Sequence, residues 1–319
     1  MTNERIYIPL LGGLGNQLFQ YFAGELLEVT LNREVVYETS HSSLRRNIKN
    51  EAVIRDLKFT SEARFEDLEL DTLSRKLLSF SIRSSTGDTF SKKVQREITK
   101  KISKVIPSAT SSIRRIGIAD DLGFTDTSKF HDKNIVVGYF QTYLFFRQLI
   151  SLTSEVDWRN KISSSMKSAD VNRIFSRESG TLIHVRRGDY VGGKFGLLSE
   201  NYYLRSIQKI YESNGAGSII VISDGSEVDM KLLPKRVREN AKYVNTKDFS
   251  AVEILSYMTT FENIVLANSS LSWWGATFGQ LLGVTKTVIA PSPWFQDTSP
   301  PREMFPINWL KVEGDIWES

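Results

Sequence analysis

Three short stretches combine residue types that packing alone does not require. The first, IHVRRGDY (183–190), ends an apolar run in His184, Arg186, Arg187 and Asp189. Adjacent arginines repel each other unless an anion lies before them, and a guanidinium fork matches phosphate oxygens better than a solvated lysine does. Two readings are open: a strand end fraying into weak surface pairs, or an arginine pair holding a phosphate with His184 as a further donor. The second stretch is GGLGNQ (12–17). Gly13 and Gly15 permit close approach of a ligand to the backbone, and Asn16 and Gln17 set two amides where the loop meets a helix that favours an anion or a polar hydroxyl at its start. The third is NSSLSWWGATFG (268–279). Here Asn268, Ser269 and Ser270 precede a helix whose first N–H groups can cradle a phosphate without a metal. Trp273 and Trp274 point about 100° apart on a helix, so at least one belongs to the core. Asp224 fits either a ribose or base contact or a plain Asp-Gly turn.

The elements that must position these groups alternate between strand and helix. IYIPLL (6–11) reads as a strand, GGLGNQ as a loop, 18–31 as a helix with Leu18, Phe22, Leu26 and Leu27 on its core face, and EVVYE (34–38) as the returning strand. IVVGYF (135–140) reads as a later strand of the same domain. Farther on, TLIHVR (181–186), SIIVIS (218–223), KYVN (242–245), NIVLAN (263–268) and TVIA (287–290) are β-rich runs separated by helices near 199–212, 227–240, 250–262 and 270–282. Ser250 and Glu253 have the spacing of a capping box. Such alternation implies α/β architecture with parallel sheets, whose ligands bind beyond the carboxyl ends of the strands. Arg186, Asp224 and Asn268 all fall there. A polar stretch at 155–178 divides the chain into expected domains 1–160 and 161–319. Residues 91–106 place Val94, Ile98, Ile102 and Val105 on one helical face with lysines mostly elsewhere; a solvated helix and a basic face touching anionic lipid both fit.

Composition narrows the chemistry. Forty-one basic and 37 acidic residues among 319 leave +4, too mild an excess for a dedicated nucleic-acid binder. With no cysteine there are no disulfides, thiolate nucleophiles or cysteine metal sites, in keeping with a reducing compartment. The first residues lack a signal-peptide pattern and no run is long enough to span a bilayer, so a cytoplasmic location is expected. The three histidines have no metal-ligand spacing, and there is no D-x-D triplet, so no metal is expected. The dinucleotide fingerprint is half met, by Gly13 and Gly15 but not at Leu18, which keeps a nicotinamide oxidoreductase as the alternative. Arg187-Gly188-Asp189 spells an adhesion tripeptide, which would need an exposed loop on a secreted protein.

GGLGNQLFQY (12–21), HVRRGDY (184–190) and NSSLSWWGA (268–276), in this order, resemble the α-1,2-fucosyltransferase family of inverting glycosyltransferases. The resemblance implies a GT-B fold, with two Rossmann-like domains facing across a cleft, an N-terminal acceptor side and a C-terminal side holding GDP-fucose. It implies that Arg186 grips the diphosphate; Asp189, the nearest carboxylate in sequence, fits either a base or a group that orients Arg186 or Arg187. His184, Arg187, Asp224, Asn268, Ser269, Ser270, Gly13 and Gly15 would surround the donor, with Asn16 and Gln17 in an acceptor or phosphate loop. It also implies metal-independent transfer, without a cofactor, to O-2 of a terminal β-galactoside. Bacterial surface glycan (O-antigen) synthesis is the expected setting, the acceptor being free or lipid-linked at the inner membrane. "VISDGSEVD" replaces a more usual aspartate pair, which leaves Asp224 open.

Overall fold

The computed structural model describes residues 5–39, 53–67, 78–79, 116–119, 123–168, 180–188, 196–213, 215, 217–225, 233–295, 299–314 and 316–317. The chain divides into two compact units, Met1–Trp158 with Pro301–Phe305, and Arg159–Pro300 with Pro306–Ser319. Each is built on a parallel sheet with helices, as the alternating pattern requires, so the α/β expectation of two Rossmann-like units is met.

The first unit's sheet contains β1 (Ile6–Pro9), β2 (Val35–Glu38), β3 (Phe65–Glu66), β4 (Ile116–Ile118) and β5 (Ile135–Val137) in the order β3-β2-β1-β5-β4, all parallel. Helix α1 (Leu14–Leu31) connects β1 to β2 and ends at Asn32, which takes the left-handed conformation (φ 50°) that asparagine tolerates. It begins four residues before the helix expected from the apolar period. Gly12 turns the chain at φ +75° and Gly13 is the extended N-cap, so Gly15, Asn16 and Gln17 lie in the first turns of the helix and not in a loop. β5 is likewise shorter than the apolar run 135–140, because Phe140 takes a left-handed φ of 53° that no strand continues. Helices α2 (Tyr143–Leu152) and α3 (Glu155–Ser168) follow.

In the second unit β6 (Gly180–Val185), β8 (Ser218–Ser223), β9 (Ala241–Asn245), β10 (Asn263–Val265), β11 (Thr287–Ser292) and β12 (Leu310–Glu313) form a parallel sheet of order β12-β11-β10-β6-β8-β9. β7 (Leu197–Leu198) pairs antiparallel with β13 (Ile316–Trp317). From β6 the chain steps outward through β8 and β9, then returns to the other side of β6 for β10, β11 and β12. This is the doubly wound order 3-2-1-4-5-6, with its reversal between β6 and β10. β12 escaped the sequence reading because LKVE has one buried residue in four. Helices α4 (Glu200–Ser213), α5 (Lys235–Arg238), α6 (Ala251–Met258) and α7 (Ser270–Leu281) flank the sheet. The Ser250–Glu253 capping box forms with both reciprocal hydrogen bonds. Ile183, Val185, Ile219 and Val221 point into the core under α4, so period-two alternation turns His184, Arg186, Ile222 and Asp224 to the opposite side. There α6 and α7 pack closely: a Cβ on Gly275 would stand 2.6 Å from Met258 Cβ. The basic segment 91–106 lies outside the described residues.

Candidate functional site

In the second unit the register of β6 on β8 pairs His184 with Ile222 and Val185 with Ser223. The next residues, Arg186 and Asp224, therefore face each other one step beyond the ladder. Arg186 Nη1 lies 2.7 Å from Asp224 Oδ2, and the Arg187 backbone N–H donates to Asp224 Oδ1 at 2.7 Å. One carboxylate thus fixes both the guanidinium and the backbone of the following residue. The turn carrying it is itself tied down: Gly225 N donates to Ser223 Oγ, Thr246 N to Ser223 O, and Asn245 Nδ2 to Gly225 O. Gly188 passes so close to the Asp224 carboxylate that any Cβ there would collide with Oδ2. The Arg186 side chain keeps 30% of its surface exposed, so the fork is oriented yet reachable. Asp189 lies outside the described residues.

His184 sits beneath this pair. It is 4% exposed, and its buried Nδ1 makes no hydrogen bond among the described residues. Burial first, and the Arg186 charge second, push its pKa down to about 3, so the imidazole is neutral at physiological pH. It therefore brings no positive charge to the site.

On the other side of β6, β10 runs parallel with Val265 opposite Ile183, and the chain beyond it leads into α7. Asn268 is buried and its Nδ2 donates to Gly196 O at 3.4 Å. Ser269 is the N-cap, yet its hydroxyl makes no capping bond to the helix, and Ser270 opens the first turn. The strand ends of β8, β6 and β10 thus bring Asp224, Arg186 and the start of α7 to one edge of the sheet, at its order reversal. Trp273 and Trp274 are both fully buried, their rings edge-to-face at 4.8 Å, which makes them core residues.

The glycine-rich motif belongs to the first unit. Gly13 is the helix N-cap and Gly15 is buried in the first turn. Gln17 is fully buried; its Nε2 donates to Gly12 O at 2.9 Å and its Oε1 accepts from Ile54 N at 3.1 Å. The structure thus gives Gln17 internal bonding in place of the loop position expected from sequence. Asn16 is half-buried and accepts at Oδ1 from Gln141 Nε2 at 2.8 Å. Gln20 and Gln141 were not singled out by sequence; the only local signal for Gln141 is its place at the end of the apolar run 135–140. Leu18, at the third-glycine place of the dinucleotide fingerprint, is fully buried, which does not favour the nicotinamide alternative. Among the described residues no group of histidine, aspartate or glutamate has metal-holding geometry, and no helix is long and apolar enough to cross a membrane.

The chain is 26% identical to the O-antigen biosynthesis glycosyltransferase WbnK of Escherichia coli, over 98% of this chain and 99% of that protein. It is 24% identical to an alpha-1,2-colitosyltransferase of Escherichia coli, over 95% and 97%. Among solved structures, the fucosyltransferase NodZ from Bradyrhizobium overlaps with a TM-score of 0.42 at 9% identity, over 89% of this chain and 95% of that one, too loosely to transfer residue roles. The family model of glycosyl transferase family 11 matches residues 123–313, more than half of the chain and all of the strands β5 to β12. The protein belongs to glycosyl transferase family 11.

Proposed function

We propose that this glycosyltransferase moves L-fucose from GDP-β-L-fucose to O-2 of a terminal β-galactoside, with inversion and without a metal, in O-antigen synthesis. The observation that carries the reading is that a carboxylate-oriented Arg186 follows β6, and the start of α7, without a side-chain cap, follows the adjacent parallel strand β10, at the order reversal of the second sheet. A diphosphate placed there would meet a planar cationic fork and the first N–H groups of a helix, the two recurrent phosphate binders. In the transfer, the acceptor oxygen forms a bond to C1 of the sugar while the bond from C1 to the β-phosphate oxygen breaks. GDP leaves with the electron pair, and the hydroxyl proton passes to a base. Arg186 stabilises the charge that grows on the leaving diphosphate. Asp189 is the proposed base or arginine-orienting group. Arg187, Asn268, Ser269, Ser270 and neutral His184 complete the donor site, and Asp224 acts through Arg186.

A specific observation favours a second donor. One relative is named a colitosyltransferase. Colitose is fucose without its 3-hydroxyl, so the same diphosphate site would serve either sugar. The O-antigen setting follows the name of the other relative and would place the acceptor on a lipid carrier, with residues 91–106 as the proposed membrane contact. Incubation with GDP-fucose or GDP-colitose and a panel of β-galactosides, in EDTA, followed by NMR of the new linkage, tests the reading. We expect an α-1,2 product with one of the two donors. A different linkage, or activity only after Mn²⁺ is restored, contradicts it.

A further inference from the structure

The first unit reverses its strand order between β1 and β5, and beyond their carboxyl ends the chain places carboxamides. Gln20, fully buried, accepts from Leu11 N at 2.8 Å and donates to Gly138 O at 3.3 Å, joining the two strand ends. Just outside this link, Gln141 Nε2 donates to Asn16 Oδ1 at 2.8 Å. Gln141 is only 8% exposed, and its buried Oε1 makes no hydrogen bond among the described residues. A buried acceptor without a partner is unfavourable, because no hydrogen bond compensates its desolvation.

The backbone presenting Gln141 is also unusual. Phe140 precedes it at φ 53°, a left-handed conformation that strains a bulky residue. Its ring is fully buried and edge-on to Phe145 at 5.3 Å, which holds the conformation. Thr142 N donates back to Phe140 O at 2.8 Å, closing a tight turn around Gln141, and the Thr142 hydroxyl then caps α2. Gln141 is therefore fixed on a costly turn with one unmade hydrogen bond.

The carboxamide pair has a defined polarity. Asn16 uses its oxygen, so Nδ2 is its remaining donor; Gln141 uses its nitrogen, so Oε1 is its remaining acceptor. Asn16 Nδ2 lies over Gly12, whose missing side chain and φ of +75° leave room for it. A carboxamide pair that keeps one donor and one acceptor complements a hydroxyl, which donates and accepts at once. We infer that Asn16 and Gln141 form a subsite for a hydroxyl of a pyranose ring, with Gln141 setting the specificity. This rests on the transferase reading, under which the hydroxyl belongs either to the donor sugar or to the acceptor.

The test compares kcat/KM for singly deoxygenated donors and singly deoxygenated β-galactosides, in the wild type and in Gln141→Leu and Gln141→Met. For one hydroxyl, on the donor or on the acceptor, the wild type should prefer the hydroxylated compound about 10- to 100-fold. Both variants should bring that single preference to within about 3-fold of unity, whereas a purely structural residue would lower all compounds alike. Which series responds identifies the source. A second measurement needs neither turnover nor variants: the side-chain amide resonances of Asn16 and Gln141 in the wild type, titrated with methyl α-L-fucoside and methyl β-D-galactoside. A shift of both amides with one sugar supports the subsite. Unaltered deoxy preferences in both variants, or amides unmoved by either sugar, would overturn it. A wild type that transfers no sugar but shows the amide shifts would refute the transferase reading and leave the subsite standing.

Discussion

The two units solve one topological problem with opposite chemistry. In each, the first strand leads into a helix on one side and the sheet later resumes on the other side, leaving an order reversal at the strand ends. In the second unit the reversal carries ions: Arg186 held by Asp224, with the uncapped start of α7 nearby. In the first it carries amides: Gln20 and Gln17 consumed by internal bonds, and the Asn16–Gln141 pair. Partly exposed ions would suit a leaving diphosphate, whose charge changes during reaction. Neutral amides suit hydroxyls, which must be recognised without being ionised. The fold supplies the place, and the side chains at the strand ends choose the ligand.

Removing the ionic character of the second reversal should have the largest effect. Arg186→Ala should lower kcat by more than about 10²–10³, the usual loss for one preorganised donor, and Arg186→Lys by about that much, because a point charge replaces a planar fork. Arg187→Ala should cost less, because Asp224 orients the Arg186 fork but takes the backbone N–H of Arg187. Asp189→Asn should cost about 10²–10⁴ in kcat with near-normal GDP binding if Asp189 is the base. Steady-state kinetics on folded variants reads all four. Activity of Arg186→Ala close to wild type would erase the contrast between the units.

A subtler perturbation leaves every charge in place. Gly188→Ala drives a Cβ into the Asp224 carboxylate and should release Arg186 from its orientation. We expect GDP affinity to fall about 10-fold, consistent with the loss of one charge-assisted hydrogen bond. Calorimetric titration checks this, and an unchanged affinity would mean that Asp224 does not position the fork.

The smallest effect concerns stability. His184 has a folded-state pKa of about 3, below its ordinary 6.5. The unfolded chain therefore binds the extra proton first. The stabilisation is fully present above pH 6.5 and is lost as pH falls toward 3. Urea unfolding of the wild type should weaken over that window, and His184→Gln should flatten the dependence. Equal slopes in the two proteins would show that His184 does not titrate this way.

Much of this was legible in the sequence, and the misses have physical causes. Alternating apolar runs placed β6, β8 and the capped α6 well, because buried parallel strands are nearly continuous in Val and Ile and a capping box is a local device. The arginine motif stood out because an anion relieves the repulsion of two like charges at a strand end, and in the structure Asp224 lies against Arg186. The start of α1 was misplaced because glycines read as loop, whereas only Gly12 and Gly13 are outside the helix. The Arg186–Asp224 pairing depends on the register between strands 38 residues apart, which no local pattern encodes. Gln141 was hidden for a similar reason: its partner Asn16 is distant in sequence, and nothing in GYFQ announces that Phe140 adopts a left-handed φ.

The most direct test is calorimetric titration of GDP, in EDTA, into the wild type, Arg186→Ala and Gln141→Leu. The division of labour between the two reversals requires saturable one-to-one binding to the wild type. It requires loss of at least about 10-fold in affinity in Arg186→Ala, and binding by Gln141→Leu within about 2-fold of the wild type. Undiminished GDP affinity in Arg186→Ala, or binding that appears only when Mn²⁺ is added, would contradict it.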